Sequence, residues 1–213
     1  MKIQTIEIFH VNAGWRPWSF LKITTNEDII GWSEFTDSHG SPKGIEGVIN
    51  DLSGLIIGKN PLMINEIINL LNSRTRQSPG SIIHKAIAGI ENALWDIAGK
   101  SMNYSVNSFL GGCLRDKINL YWSHCGTSRV RAYDLINKPR ISSFNDLEIF
   151  CEEIKNSGFK AIKTNIARLG ENPYIYMPGF AKSVGYPELN LSKSLLNDTV
   201  LWISKLRYYL GND

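Results

Sequence analysis

Lys163, Thr164 and Asn165 lie at the end of a stretch, Phe159 to Thr164, that reads as a short strand, so a cation and an amide sit at a strand end. A lysine placed there can hold an anion, or it is a surface lysine and nothing more. Asn165 can donate and accept hydrogen bonds but cannot take a proton at neutral pH. Ser123-His124-Cys125 closes a second apolar stretch, Ile118 to Trp122. Its hydroxyl or imidazole could bond a polyol, or His124 is a strand-end histidine without a ligand. Earlier in the chain, Trp15-Arg16-Pro17-Trp18 places an arginine between two tryptophans, suited to anion binding or to stacking on an aromatic face. Thr36 to Gly44 carries Asp37, His39 and Lys43 among glycines that allow movement. Glu34 just precedes it, as a site contact or a half-buried structural carboxylate.

These residues need elements to position them. Alternation predicts strands at Ile3 to Phe9, Ser19 to Thr25 and Ile29 to Phe35, with Asn26-Glu27-Asp28 turning between the last two. Helices follow. The first places Ile45, Val48, Ile49, Leu52 and Ile56 on one face. The second starts at Asn60-Pro61 and carries Ile64, Ile67, Ile68 and Leu71. The third, Ser81 to Lys100, has one broad stripe of Ile83, Ala86, Ile87, Ile90, Ala93, Leu94 and Ile97. A short helix, Ser105 to Leu110, stops at Gly111-Gly112. Strands and then helices make an α+β domain.

Near residue 117 the order becomes β, α, β, α. Strands are expected at Ile118 to Trp122 and Phe159 to Thr164. A helix begins at Asn145, with Glu148 completing a capping box, and ends at Gly158. A second helix, Ser192 to Leu210, turns Leu195, Leu196, Val200, Ile203 and Leu206 inward. Between strand and helix lies Ala167 to Leu191, expected to be irregular and to act as a lid or subunit contact. Alternating strands and helices imply a parallel sheet whose strands are buried on both faces. Two such units make an incomplete barrel, since a closed one takes eight and about 250 residues. On that reading the chain stops short, and exposed apolar faces should make it associate.

Composition narrows the class. Of 213 residues, 43% are hydrophobic and 20% charged, which suits a globular protein with a real core. A net charge of +3, with Lys and Arg scattered, gives no support for nucleic-acid or membrane-surface binding. Cys113, Cys125 and Cys151 form no CxxC pair and suit a cytoplasmic protein with free thiols.

Three motifs carry a family resemblance: Gly31-Trp32-Ser33-Glu34, the run Ala88-Gly89-Ile90-Glu91-Asn92-Ala93-Leu94-Trp95-Asp96-Ile97-Ala98-Gly99-Lys100, and Leu110-Gly111-Gly112. Together they resemble the enolase superfamily, and within it the mandelate racemase and muconate lactonizing branch. Gly158 to Asn165 is similar to the second barrel strand of that branch. The resemblance implies an N-terminal capping domain, residues 1–117, followed by the first two β/α units of a TIM-type barrel, residues 118–213. It also implies Mg²⁺ bound at the strand ends, and a base that removes the proton α to a carboxylate to give an enediolate. Racemases of the branch reprotonate that species, and acid-sugar dehydratases expel a β-hydroxyl.

By the same resemblance Lys163 contacts the substrate carboxylate, and the loops holding Trp15, Arg16 and His39 close over the substrate. Many relatives carry Lys-x-Lys where this chain has Lys163-Thr164-Asn165, the second lysine being the acid/base. Galactonate-type dehydratases have Asn there and use histidines from later strands. Dehydration of an aldonate is therefore favoured over racemisation. A racemase or epimerase of the superfamily and a non-catalytic remnant stay open, and an unrelated α+β protein is disfavoured by the Ala88 to Lys100 run. Magnesium ligands come from the third to fifth strands in the family. Asp134, Asp146, Glu152, Glu153 and Asp198 read as solvated charges rather than ligands, so the isolated chain is expected to bind no Mg²⁺ tightly and to be inactive. Related enzymes are commonly homo-oligomers.

Overall fold

A computed structural model describes residues 1–14, 16–37, 40–177 and 192–211. It divides into two compact units, Met1–Asp116 and Lys117–Asp213.

In the first unit, β1 (Ile3–Asn12), β2 (Pro17–Thr25) and β3 (Ile30–Glu34) form an antiparallel meander in the order β1-β2-β3. The β2–β3 turn closes because Thr25 Oγ1 accepts from the Ile29 N–H at 3.1 Å, while Asp28 takes a left-handed φ of 59°. Ser41 caps α1 (Pro42–Ile56) by accepting from the Gly44 N–H, with Pro42 in the first turn where its missing N–H costs nothing. Then come α2 (Ile64–Arg74), α3 (Ser81–Met102) and α4 (Val106–Phe109). The α2 start differs from expectation. Asn60 Oδ1 takes the Leu62 N–H at 3.0 Å and closes a turn, so the helix begins at Ile64 instead of Pro61. One core joins the layers: Leu21 and Ile23 of β2, Ile45 and Ile49 of α1, Ile67 and Leu71 of α2, and Ile90, Ala93, Leu94 and Ile97 of α3.

The match of α3 to β3 is close. Gly31 lies so near α3 that a Cβ would fall 2.2 Å from the Ala93 carbonyl oxygen. Ser33 Oγ donates to the Gly89 carbonyl at 2.6 Å, and Asp96 Oδ2 accepts from the Trp32 N–H at 2.8 Å. Lys100 Nζ bonds Asp96 and the Ile30 carbonyl together. The free edge of β3 is thereby satisfied by side chains of a helix instead of another strand.

The second unit contains α5 (Thr127–Arg131), α6 (Phe144–Asn156), a small hairpin of β4 (Ala167–Arg168) and β5 (Tyr174–Ile175), and α7 (Lys193–Leu210). The hairpin lies inside the stretch expected to be irregular, and residues 178–191 of that stretch fall outside the described residues. The two expected parallel strands are reduced to one parallel bridge, Trp122 with Ile162. Three backbone hydrogen bonds hold it: Trp122 N–H to Ala161, Lys163 N–H to Trp122, and Cys125 N–H to Lys163. Parallel strands gain their stability from cover on both faces. Here Ile118 and Leu120 are 75% and 69% exposed, so nothing regularises the backbone before Trp122.

Two further expectations are corrected. Ser143, with extended backbone, caps α6, and Asp146 reciprocates at the third helical position; Asn145 already lies inside the first turn, so the pair Asn145 and Glu148 cannot form the box. On α7, Leu195 and Leu206 are buried as expected, but Trp202 completes that face, and Leu196, Val200 and Ile203 are exposed. The core of this unit gathers Cys125, Val130, Leu147, Phe150, Cys151, Ile154 and Trp202. It also takes in Arg129, which is stacked 5.1 Å from the Phe150 ring, donates to the Pro139 carbonyl and pairs with Glu153. Among the described residues, no helix is long and apolar enough to cross a membrane.

Candidate active site

The Trp122–Ile162 bridge positions one cluster of polar side chains. Trp122 and Ile162 pack against the core of the second unit, so strand alternation sends Ala161, Lys163 and Asn165 to the opposite side. Beneath them, Thr164 Oγ1 donates to the Cys125 carbonyl at 2.9 Å and accepts from Trp202 Nε1 at 3.3 Å. Helix α7 is thus tied to the same strand end that carries Asn165.

His124 comes to Asn165 from the other side of the bridge. It holds a left-handed φ of 53°, and its carbonyl accepts from the Thr127 N–H at 2.9 Å, which turns the chain into α5. His124 Nδ1 lies 2.9 Å from Asn165 Oδ1. The buried Thr127 hydroxyl donates to the same oxygen at 3.0 Å. Lys163 is exposed, and among the described residues its Nζ has no hydrogen-bond or ion-pair partner. Ser123 is also exposed. The structure therefore brings Asn165 and His124 into contact at one strand end, with the exposed Lys163 two residues before Asn165 in the same stretch.

The remaining predicted residues lie in the first unit. Arg16 places its guanidinium 5.7 Å from the Trp18 ring centre. Glu34 is exposed at the end of β3, not half-buried. Asp37 pairs with Lys85 at 2.9 Å, and that lysine holds its carboxyl below the usual carboxylate range. The same carboxylate leaves no space for a Cβ at Gly40. Lys43 is exposed in the first turn of α1. Trp15 and His39 lie outside the described residues.

Two groupings were not anticipated from the sequence. Thr127 joins the Asn165 network from 38 residues away, and only its closeness to His124 in the chain hinted at this. His10 bridges Ser19 Oγ at 2.8 Å and Glu46 at 3.0 Å. Ser19 is fully buried, so this array pins sheet to helix and offers no nucleophile.

Magnesium favours several carboxylate oxygens in an octahedral array. Among the described residues, no three His, Cys, Asp or Glu side chains converge. Asp134 is exposed, as are Glu152 and Glu153, which pair with Lys155 and Arg129; Asp146 caps α6 and Asp198 pairs with Arg168. These residues do not fit a metal centre. Burial pushes the thiol of Cys125 up to about 12 and that of Cys151 to about 11, which makes them poor ligands as well.

Residues 6–111 match the mandelate racemase/muconate lactonizing enzyme N-terminal domain. The chain belongs to that family. Beyond this domain, a solved structure described as an L-alanine-DL-glutamate epimerase from Burkholderia xenovorans, bound to magnesium and fumarate, aligns over 100% of this chain. It does so at 33% identity, a TM-score of 0.90 and 52% of its own length. A structure described as a dehydratase from Zymomonas mobilis shares the fold at TM-score 0.82 and 23% identity, over 100% of this chain and 52% of its own. D-Galactonate dehydratase of Pectobacterium atrosepticum is 43% identical over 104 residues, 49% of this chain and 27% of that enzyme. That of Xanthomonas euvesicatoria is 37% identical over 121 residues, 57% of this chain and 31% of that enzyme. This family member therefore spans about half of its solved relatives, and the match covers about a third of the curated ones. Its meander and helices are the capping domain of the enolase superfamily, and only part of a barrel is present.

Proposed function

We propose that this chain serves the dehydration of an acid sugar of the aldonate class, in which the proton α to the carboxylate is lost and a β-hydroxyl leaves as water. The observation that carries this reading is the 2.9 Å contact between His124 and Asn165, in the stretch that also carries the exposed Lys163. Lys163 attracts the substrate carboxylate, and a positive charge there also stabilises the charge that develops when the α-proton leaves. His124 and Ser123 bond substrate hydroxyls. Asn165 takes no proton, so it supplies no base for a two-lysine racemisation. The D-galactonate dehydratase relatives support the aldonate. The magnesium in the Burkholderia structure supports a metal requirement. By the family resemblance the base comes from later strands, so the 213-residue chain alone should show no turnover.

A second reading, epimerisation within the same superfamily, is favoured by the Burkholderia relative. One assay separates the two. The protein encoded by the reading frame that includes these residues is incubated with magnesium in D₂O, with a panel of aldonates and, separately, with Ala-Glu dipeptides, and 2-keto-3-deoxy acid and α-carbon deuterium are measured. Dehydration is expected, with Lys163→Ala lowering kcat/KM by about 100-fold. Deuterium entering Ala-Glu dipeptides at the α-carbon without keto acid from any aldonate would establish the epimerase instead.

A further inference from the structure

His124 is the one ring in this cluster whose chemistry depends on which nitrogen carries the proton. A neutral imidazole has one donor and one acceptor nitrogen, and the partner of one decides the state of the other. Here Nδ1 faces Asn165 Oδ1, an oxygen that can only accept. The same oxygen takes the Thr127 hydroxyl proton. Thr127 is buried and has no other side-chain partner among the described residues, so its hydroxyl is committed to Asn165. The hydroxyl that Thr127 donates to Oδ1 favours the amide orientation that turns this oxygen, and not its NH₂ group, toward the ring.

We propose that Thr127, acting through Asn165, is a positioning residue that holds neutral His124 as its Nδ1–H tautomer. Nε2, which has no partner among the described residues, then presents a lone pair and reads a hydroxyl donor on the ligand. This rests on the proposed site but adds a direction to it. In its neutral form His124 accepts from a sugar hydroxyl and cannot protonate one that leaves, so it selects substrate and does not serve as the acid. The left-handed backbone at His124 and the turn bond from Thr127 N–H fix the distance between these two residues, so the arrangement is built into the fold before any ligand arrives.

The test needs no turnover, and so stands apart from the assay of the proposed function. The 213-residue protein is labelled with ¹⁵N-histidine, and ring tautomers are read from one- and two-bond ¹H–¹⁵N couplings well above the histidine pKa. The His124 signals are assigned by their loss in His124→Gln. An Nδ1–H form in about tenfold excess is expected, the scale that one net hydrogen bond supplies. Thr127→Val keeps the shape but removes the donor, and should shift the ratio toward the Nε2–H form that free imidazole prefers. Thr127→Ser restores the donor and should restore the ratio. An unchanged Trp202 indole N–H signal and an unchanged urea midpoint in each variant show that the second unit keeps its fold. An Nε2–H form in the parent protein, or a ratio that Thr127→Val leaves untouched, overturns the proposal.

Discussion

Asp96 on α3 accepts a 2.8 Å hydrogen bond from the backbone N–H of Trp32 on β3, and the same carboxylate oxygen holds Lys100 at 2.6 Å. Lys100 in turn donates to the Ile30 carbonyl, two residues before Trp32 on the same edge. A helix thus completes the hydrogen bonding of an edge strand. Asp96→Ala leaves the N–H without its acceptor and should destabilise the first unit by about 2 kcal/mol, since a hydrogen bond to a charged group is lost. Asp96→Asn keeps an acceptor and loses only a half-exposed ion pair, so its cost should stay below about 1 kcal/mol. Urea unfolding, with exchange of the Trp32 amide as the local readout, tests the order. Equal losses in the two variants would show that the ion pair, and not the strand-edge bond, matters.

A second prediction separates two glycines of the same interface. A Cβ at Gly31 would sit 2.2 Å from the Ala93 carbonyl oxygen and 2.7 Å from Ile97, so β3 and α3 must move apart. Gly31→Ala should cost about 2 kcal/mol or more, in the range of core overpacking. At Gly89 the added carbon would meet Phe35 Cβ at 3.3 Å, a contact that a small shift relieves. Alanine is also the better helix former by about 1 kcal/mol. Gly89→Ala should therefore lie near neutral, and a loss as large as that of Gly31→Ala would mean that α3 cannot shift at all.

This interface also explains which parts of the chain could be read in advance. Gly31, Gly89, Asp96 and Lys100 all belong to motifs that were recognisable by family resemblance, and the structure gives the reason: close approach and edge capping each demand one kind of residue. The α3 stripe from Ala86 to Ile97 was legible for a similar reason: a long buried helix admits few other patterns. The second unit was less legible. Periodicity on α7 allows either of two apolar faces, and Trp202 decides between them only through packing with Phe150 and Cys151. The strands around Trp122 and Ile162 read as strands because they are apolar, yet a parallel strand needs neighbours that local sequence does not report. Lys163 and Asn165 were identifiable by type, whereas Thr127 became visible only once a turn brought it under His124.

A third prediction concerns acid. Asp146 Oδ2 accepts from the Ser142 N–H, the Ser142 hydroxyl and the Ser143 N–H, each at 2.9 Å. The backbone bond from Ser142 is the main cause holding its carboxyl below the usual carboxylate value, against a smaller opposing effect of burial. A group with a depressed folded-state pKa stabilises the fold above its unfolded pKa of about 3.9 and loses that contribution as pH falls through the folded value. Stability of α6 should therefore drop between pH 5 and the acid limit. Asp146→Asn should be weaker at pH 7 and show a flatter decline, measured by helix signal in urea at each pH. A parallel decline in both proteins would assign the acid lability to another group.

The last prediction follows from α7, whose two apolar faces differ in fate. Leu195, Trp202 and Leu206 are buried, while Leu196, Val200 and Ile203 stay exposed on a second stripe with spacings of four and three. Three large aliphatic side chains in a row along one helix face exceed the scattered exposure of an ordinary surface. At micromolar concentration this face should bring copies of the 213-residue chain together. Leu196→Lys with Ile203→Lys should lower the apparent mass in sedimentation velocity and leave helix content and the urea midpoint unchanged, because neither side chain contributes to the core. Replacing Trp202 by Ala gives the opposite pattern. It opens a cavity between α6 and α7, removes the donor to Thr164 and should cost about 3 to 5 kcal/mol. Should the double lysine variant sediment like the parent chain, association would have to run through another surface, and the exposed Ile118 and Leu120 would be the next to change.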